Sequence, residues 1–225
     1  ADAVSPLLLV SDLGRPERFL NMLRVFKVTS PMSVGSWILF VSGGASNAAA
    51  VLEWLGVLRP VKAAAEVVSF ASGPPLATYT GALLANTAIP VWSEARDDLP
   101  WVFGASAAAS AGAAAALFTP SLPARRVAVA GAVAELVLTE RMQRRLGFVG
   151  EVYKRGEAHR FGTIAKACTV AGAALLAANR RRSGGALVLA GGLAMRWSVF
   201  KAGFASARDP KYTVLPQRER VRSHA

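Results

Sequence analysis

Residues 11–37, SDLGRPERFLNMLRVFKVTSPMSVGSW, decide how this chain is read. Six of these side chains are charged (Asp12, Arg15, Glu17, Arg18, Arg24 and Lys27), whereas most of the chain is apolar. The apolar run 6–10 enters the stretch, and a long apolar segment leaves it after Pro31. Charge gathered between two oily runs is the pattern of a loop at a membrane interface, not of a soluble surface loop.

Composition agrees. Of the 225 residues, 53% are hydrophobic and 18% charged, where a soluble chain carries roughly a quarter charged residues. Alanine is abundant, so the helices are expected to pack closely through small side chains. A net charge of +12 would suit nucleic acid, but the basic residues stand in short clusters beside apolar runs. A lipid bilayer surface accounts for that placement, and no nucleic acid is expected as a partner. The single cysteine, Cys168, can form no internal disulfide and cannot hold an iron–sulfur cluster. His159 lies in a charged loop and His224 beside the C-terminus, so the paired axial histidines of a membrane haem are lacking. The chain is expected to carry no haem, no iron–sulfur cluster and no other metal centre of its own.

Outward from the opening loop, apolar runs of spanning length alternate with charged or proline-rich turns. The fold expected is all-α: a polytopic transmembrane helix bundle forming a single membrane domain over 1–225. It has six full spans, at about 31–56, 63–92, 99–118, 125–146, 161–179 and 185–205, and a tail at 206–225. Residues 1–10 are too short to cross a bilayer, which takes about 20 residues, and read as the remnant of a helix. Pro31 suits a first helical turn, where its missing N–H costs nothing. Gly73-Pro74-Pro75 is expected to kink or break the second span near its middle, and Trp92 to end that span at an interface. With six crossings, the loops at 11–30, 93–98 and 141–160 share one side with the tail and carry sixteen Lys and Arg; the other side carries seven. The positive-inside rule then places the opening loop and the C-terminus in the cytoplasm, in a multi-pass protein of the inner (plasma) membrane.

Ionisable groups inside spans are functional candidates by default, since each costs roughly 2.5 kcal/mol or more on insertion scales. Glu53 and Glu66 stand near span ends, where headgroup contact and a proton path are equally open readings. Lys166 and Lys201 are close enough to a surface to snorkel. Glu135 and Arg196 are deeper and sit at matching levels. A direct or water-bridged pair is expected between them, either locking two helices or, at Glu135, forming a step for protons. Tyr79 follows the proline pair, where bonding to backbone freed by a kink is its plainest role.

Residues 12–19 (DLGRPERF), 29–37 (TSPMSVGSW), 79–92 (YTGALLANTAIPVW) and 207–218 (ARDPKYTVLPQR) resemble the NrfD/PsrC family, the quinol-handling membrane subunits of polysulfide-reductase-type complexes. The resemblance implies a subunit that binds menaquinone or ubiquinone as substrate. It would exchange electrons with an iron–sulfur, ferredoxin-like subunit, which in turn serves a molybdopterin catalytic subunit. It implies that Tyr79 helps bind the quinone headgroup, and that the family's N-terminal helices, with further headgroup ligands, are missing from this sequence. Asp12 and Arg15 are expected to hold the opening loop together as an ion pair. Two other readings stay open from the residues alone: a small-solute or ion transporter, which broken helices and intramembrane charges would suit, and a structural membrane anchor.

Overall fold

The computed structural model describes residues 24 and 26–215, and among them the ordered elements are all helical. The helix remnant expected at 1–10, the Asp12–Arg15 pair and the end of the tail lie outside the described residues. Six long helices lie at or near the positions expected for the spans, the second ending at Ala85 and not near residue 92. They are α1 (Pro31–Leu55), α2 (Arg59–Ala85), α4 (Leu99–Phe118), α5 (Leu122–Arg145), α6 (Gly156–Ala177) and α7 (Arg181–Arg208). A five-residue helix, α3 (Pro90–Glu94), precedes α4, and a 3-10 segment, Val149–Lys154, precedes α6. Three of the long helices, α1, α4 and α6, are both long and apolar enough to cross a membrane. The other three are long enough but less apolar: α5 is charged at both ends and α7 at its ends and at Arg196 and Lys201, while the uncharged stretch 67–85 of α2 is diluted by glycine, proline, serine and threonine.

The helix ends follow local chemistry. Ser30 caps α1, its Oγ accepting the Ser33 N–H at 3.4 Å, and Pro31 fills the first turn. Gly56 closes that helix at φ 67°, a left-handed conformation that glycine adopts without a β-carbon clash, and its N–H returns to the Leu52 and Glu53 carbonyls. Ser121 caps α5 in the same way as Ser30, from Ala124 N–H at 3.3 Å.

Two compact units divide the chain within α2, between Tyr79 and Thr80. In the first, α1 and α2 run antiparallel, in contact at three levels: Glu53 with Lys62, Ser46 Oγ with Ser69 Oγ at 2.7 Å, and Gly35 with the Tyr79 ring. The second unit is a four-helix bundle. The α4–α5 and α6–α7 hairpins make its closest contacts, α4 also packs on α7 and α5 on α6, and α5 and α7 lie on a diagonal. Glycines set the hairpin spacing. A β-carbon on Gly131 would stand 2.5 Å from the Ala109 nitrogen, and one on Gly172 would stand 2.8 Å from the Val188 nitrogen. Small side chains there let backbones touch, so packing rather than hydrophobic transfer holds the pairs.

Two expectations are corrected. Of the kink or break expected at Gly73-Pro74-Pro75, the break is absent: the helix at 59–85 is continuous through Pro74 and Pro75. Gly73 has no β-carbon to clash with the Pro74 ring, which removes part of the usual penalty on the residue before proline. The Thr78 hydroxyl donates to the Pro74 and Pro75 carbonyls at 3.1 and 3.2 Å. The second correction concerns Trp92. The helix ends at Ala85, and Trp92 sits in the separate helix α3, 5% exposed, with its Nε1–H donating to the Val199 carbonyl at 3.0 Å. It is a core residue of the bundle, and Gly203 leaves the room its ring occupies.

Candidate functional site

Near the middle of the bundle each long helix contributes one polar side chain to a common layer: Ser106 from α4, Glu135 from α5, Thr169 from α6 and Arg196 from α7. Ser106, Glu135 and Thr169 are buried at 0, 3 and 1% exposure. Thr169 Oγ1 donates to Glu135 Oε1 at 3.4 Å, and the Ser106 hydroxyl also stands beside this carboxylate. Arg196 Nη1 donates to Ser106 Oγ at 3.2 Å and to the Gly192 carbonyl at 3.1 Å, and its guanidinium lies 5.9 Å from the Phe103 ring centroid. Gly192 leaves room for that posture, since a β-carbon there would stand 3.3 Å from Arg196 Nη1 and 3.4 Å from Ser106 Oγ. Glu135 and Arg196 thus meet in one layer through the Ser106 hydroxyl, and no direct ion pair joins them among the described residues. The reason is topological: α5 and α7 are diagonal, not adjacent. A positive charge in the same layer still lowers the cost of placing a carboxylate inside an apolar bundle.

Below the layer, toward the 146–155 connection, Glu135 borders a small cavity of about 20 Å³. That is room for one water-sized molecule. Thr139, Gln143, Tyr153, Lys166 and Ser198 share its wall. Thr139 Oγ1 and the Tyr153 hydroxyl are both buried without a hydrogen-bond partner among the described residues. Such groups cost free energy unless a water or ligand satisfies them. Burial pushes the Tyr153 hydroxyl well above the usual phenol range, so it remains a neutral donor at any physiological pH. Lys166 reaches the surface from this wall, where Glu140 Oε2 holds its Nζ at 3.0 Å. Glu135 thus shares one small cavity with two unpartnered hydroxyls on the side toward the bundle end.

Tyr79 lies in the first unit, half-buried, its ring covering the backbone of Gly35 so closely that no β-carbon fits there. Its hydroxyl has no hydrogen-bond partner among the described residues. Glu53 and Glu66 are exposed and both pair with Lys62, the latter at 3.4 Å. Lys201 pairs with Glu157 at 2.8 Å at the surface.

Sequence reasoning missed several members. Ser106 and Thr169 are small polar residues among many in apolar helices, with no sign of which way they face. Asp98 reads as part of a polar loop, yet it is 5% exposed and pairs with Arg141 at 3.3 Å and Arg145 at 3.1 Å. Tyr153 belongs to a charged connection whose 3-10 turn carries it inward.

Long apolar helices, packed through glycine and alanine around one buried charged layer, define a helical membrane protein. The chain belongs to the NrfD family: the family model described as polysulphide reductase, NrfD matches residues 3–153. It is therefore a membrane subunit of the polysulphide-reductase-like class, made to work in a complex with other subunits. The match takes in Tyr79 and Glu135, and the 207–218 motif lies beyond it. No curated protein and no solved structure matches the chain.

Proposed function

We propose that this chain is the quinol-handling membrane subunit of an oxidoreductase complex. It binds menaquinol or ubiquinol as substrate and delivers electrons to an iron–sulfur, ferredoxin-like subunit, which serves a molybdopterin catalytic subunit. Oxidation of a quinol releases two electrons and two protons, so the chain must orient the headgroup and provide somewhere for protons to go. The observation that carries the reading is the family match over 3–153, which spans both residues suited to those tasks. Tyr79 offers a half-buried phenol with no hydrogen-bond partner among the described residues, able to donate to a quinol oxygen while its ring packs against the headgroup. Glu135 is suited to accept a proton and release it through the Thr139–Tyr153 cavity. All six long helices cross the inner membrane in this reading, with the C-terminus in the cytoplasm. The transporter alternative drew on broken helices and intramembrane charges; α2 is unbroken, the charges at Glu135 and Arg196 remain, and the family match favours the quinol reading.

The test is quinol oxidation by membranes containing the assembled complex. Tyr79→Phe should leave the partner subunits bound while quinol oxidation falls roughly tenfold, the worth of one hydrogen bond at a reacting group. Unchanged kinetics would remove Tyr79 from the site, and a purified complex without an iron–sulfur partner would overturn the reading as a whole.

A further inference from the structure

At the loop end of the second unit a surface pocket of about 480 Å³ opens between the start of α6, the end of α7 and the segment after it. Four cations line it, Arg155, Lys201, Arg208 and Lys211, against two carboxylates. Those carboxylates are already engaged, Glu157 with Lys201 at 2.8 Å and Asp209 with Lys211 at 3.2 Å, and Arg155 is paired with Glu151. Arg208 makes no direct ion pair among the described residues and acts on Glu157 only from a distance. The pocket therefore keeps a positive surplus where it opens.

Its other wall is aromatic. Phe200 and Phe204 line the pocket and are 42 and 43% exposed. They continue a ladder along α7, with ring centroids 5.5 Å apart for Trp197–Phe200 and 4.7 Å for Phe200–Phe204. Lys201 lies 5.8 Å from the Trp197 ring centroid. At 1.5 Å per residue the ladder climbs roughly 10 Å from the helix end into the apolar span. One molecule thus meets cations at the interface and an apolar stripe leading into the membrane. A soluble anion would use only the first of these, and an acidic peptide would leave the stripe bare.

We propose that this pocket is a binding site for an anionic phospholipid, its phosphate held by Arg208 and Lys201 and its acyl chain laid along Trp197, Phe200 and Phe204. Cations at a membrane surface attract anionic headgroups, and basic pockets at helix ends recognise them. The site rests on the membrane placement of α6 and α7 and is independent of the quinol reading.

The full chain, reconstituted in phosphatidylcholine vesicles and shown by flotation to be inserted, is probed with spin-labelled phosphatidylglycerol and spin-labelled phosphatidylcholine. The expected result is a larger immobilised fraction for phosphatidylglycerol. Its preference should fall roughly fivefold in Arg208→Gln, and again in Lys201→Gln, each cation near the surface contributing about that factor. Arg126→Gln, an exposed cation at the opposite end of the bundle, should leave it unchanged. Reading two pocket variants keeps the test decisive if one of them fails to fold. Equal immobilisation of the two lipids in inserted protein would overturn the proposal. So would displacement of phosphatidylglycerol by inorganic phosphate or an acidic peptide, or an equal loss in Arg126→Gln.

Discussion

Glu135 keeps its carboxyl deep in the bundle with a threonine hydroxyl as donor and an arginine one hydroxyl away. Because that arginine does not touch it, the pair is a poor lock. Glu135→Gln preserves volume and still accepts from Thr169. We expect it to change stability by no more than about 1 kcal/mol in detergent unfolding, the worth of a single hydrogen bond. Quinol turnover by the assembled complex should fall on the order of 100-fold, as for loss of a proton acceptor. The reverse pattern, lost stability with normal turnover, would make Glu135 structural. A second residue-scale prediction concerns pH. The Lys211 backbone N–H, at 3.1 Å, and then its ammonium hold the Asp209 carboxyl below the usual carboxylate range. A depressed pKa in the folded state contributes stability above the unfolded value and loses it as pH falls through the folded one. The protection of the Lys211 amide, relative to a free amide at the same pH, should therefore be steady at neutral pH and fall below the ordinary aspartate range. A protection factor that is flat with pH would refute this.

At the scale of elements, contact between backbones is the main constraint. Alanine normally gains about 1 kcal/mol over glycine inside a helix. At Gly131 the added carbon would meet the Ala109 backbone, so Gly131→Ala should destabilise the α4–α5 hairpin by about 1–3 kcal/mol through overpacking. Gly44 in α1 faces open space, and Gly44→Ala should be neutral or stabilising. Thermal unfolding of both variants in one detergent checks the contrast. Similar shifts in both would mean that helix propensity, not packing, governs these glycines. Elements were largely legible beforehand. The α4 span fell at 99–118 as expected because Pro100 opens it and Pro120 follows its end. The stretch through Pro74 stays helical although the two missing proline donors leave the Phe70 and Ala71 carbonyls without their helical partners, so a local rule on proline does not by itself say whether a helix breaks.

Across the whole molecule, charge and connectivity agree. Arg125 and Asn179 tie the α4–α5 and α6–α7 turns together at one end of the bundle. At the other, Arg145 holds Asp98 and the Phe148 and Tyr212 rings lie 5.4 Å apart. If all six long helices cross, the end bearing the greater basic charge faces the cytoplasm. In a Cys168→Ser background, Ser121→Cys and Ser183→Cys should react with an impermeant thiol reagent in intact cells. Ser93→Cys and Phe148→Cys should react only after permeabilisation. Labelling of all four from one side would refute the six-crossing arrangement.

What the sequence by itself determined was local: which segments are helices, where they begin, and that they belong in lipid. Those properties come from hydrogen bonds within a segment, capping side chains a few residues away, and the transfer of apolar runs out of water. What only the tertiary structure decided was which side chains share an interior. Ser106 and Arg196 are 90 positions apart and Glu135 and Thr169 34 apart. Their meeting depends on how four helices rotate and pair, with α5 and α7 placed on a diagonal. The matching depths of Glu135 and Arg196 were readable from helical rise, but the serine between them was not. Rise along an axis is a property of one helix, and facing is a property of several.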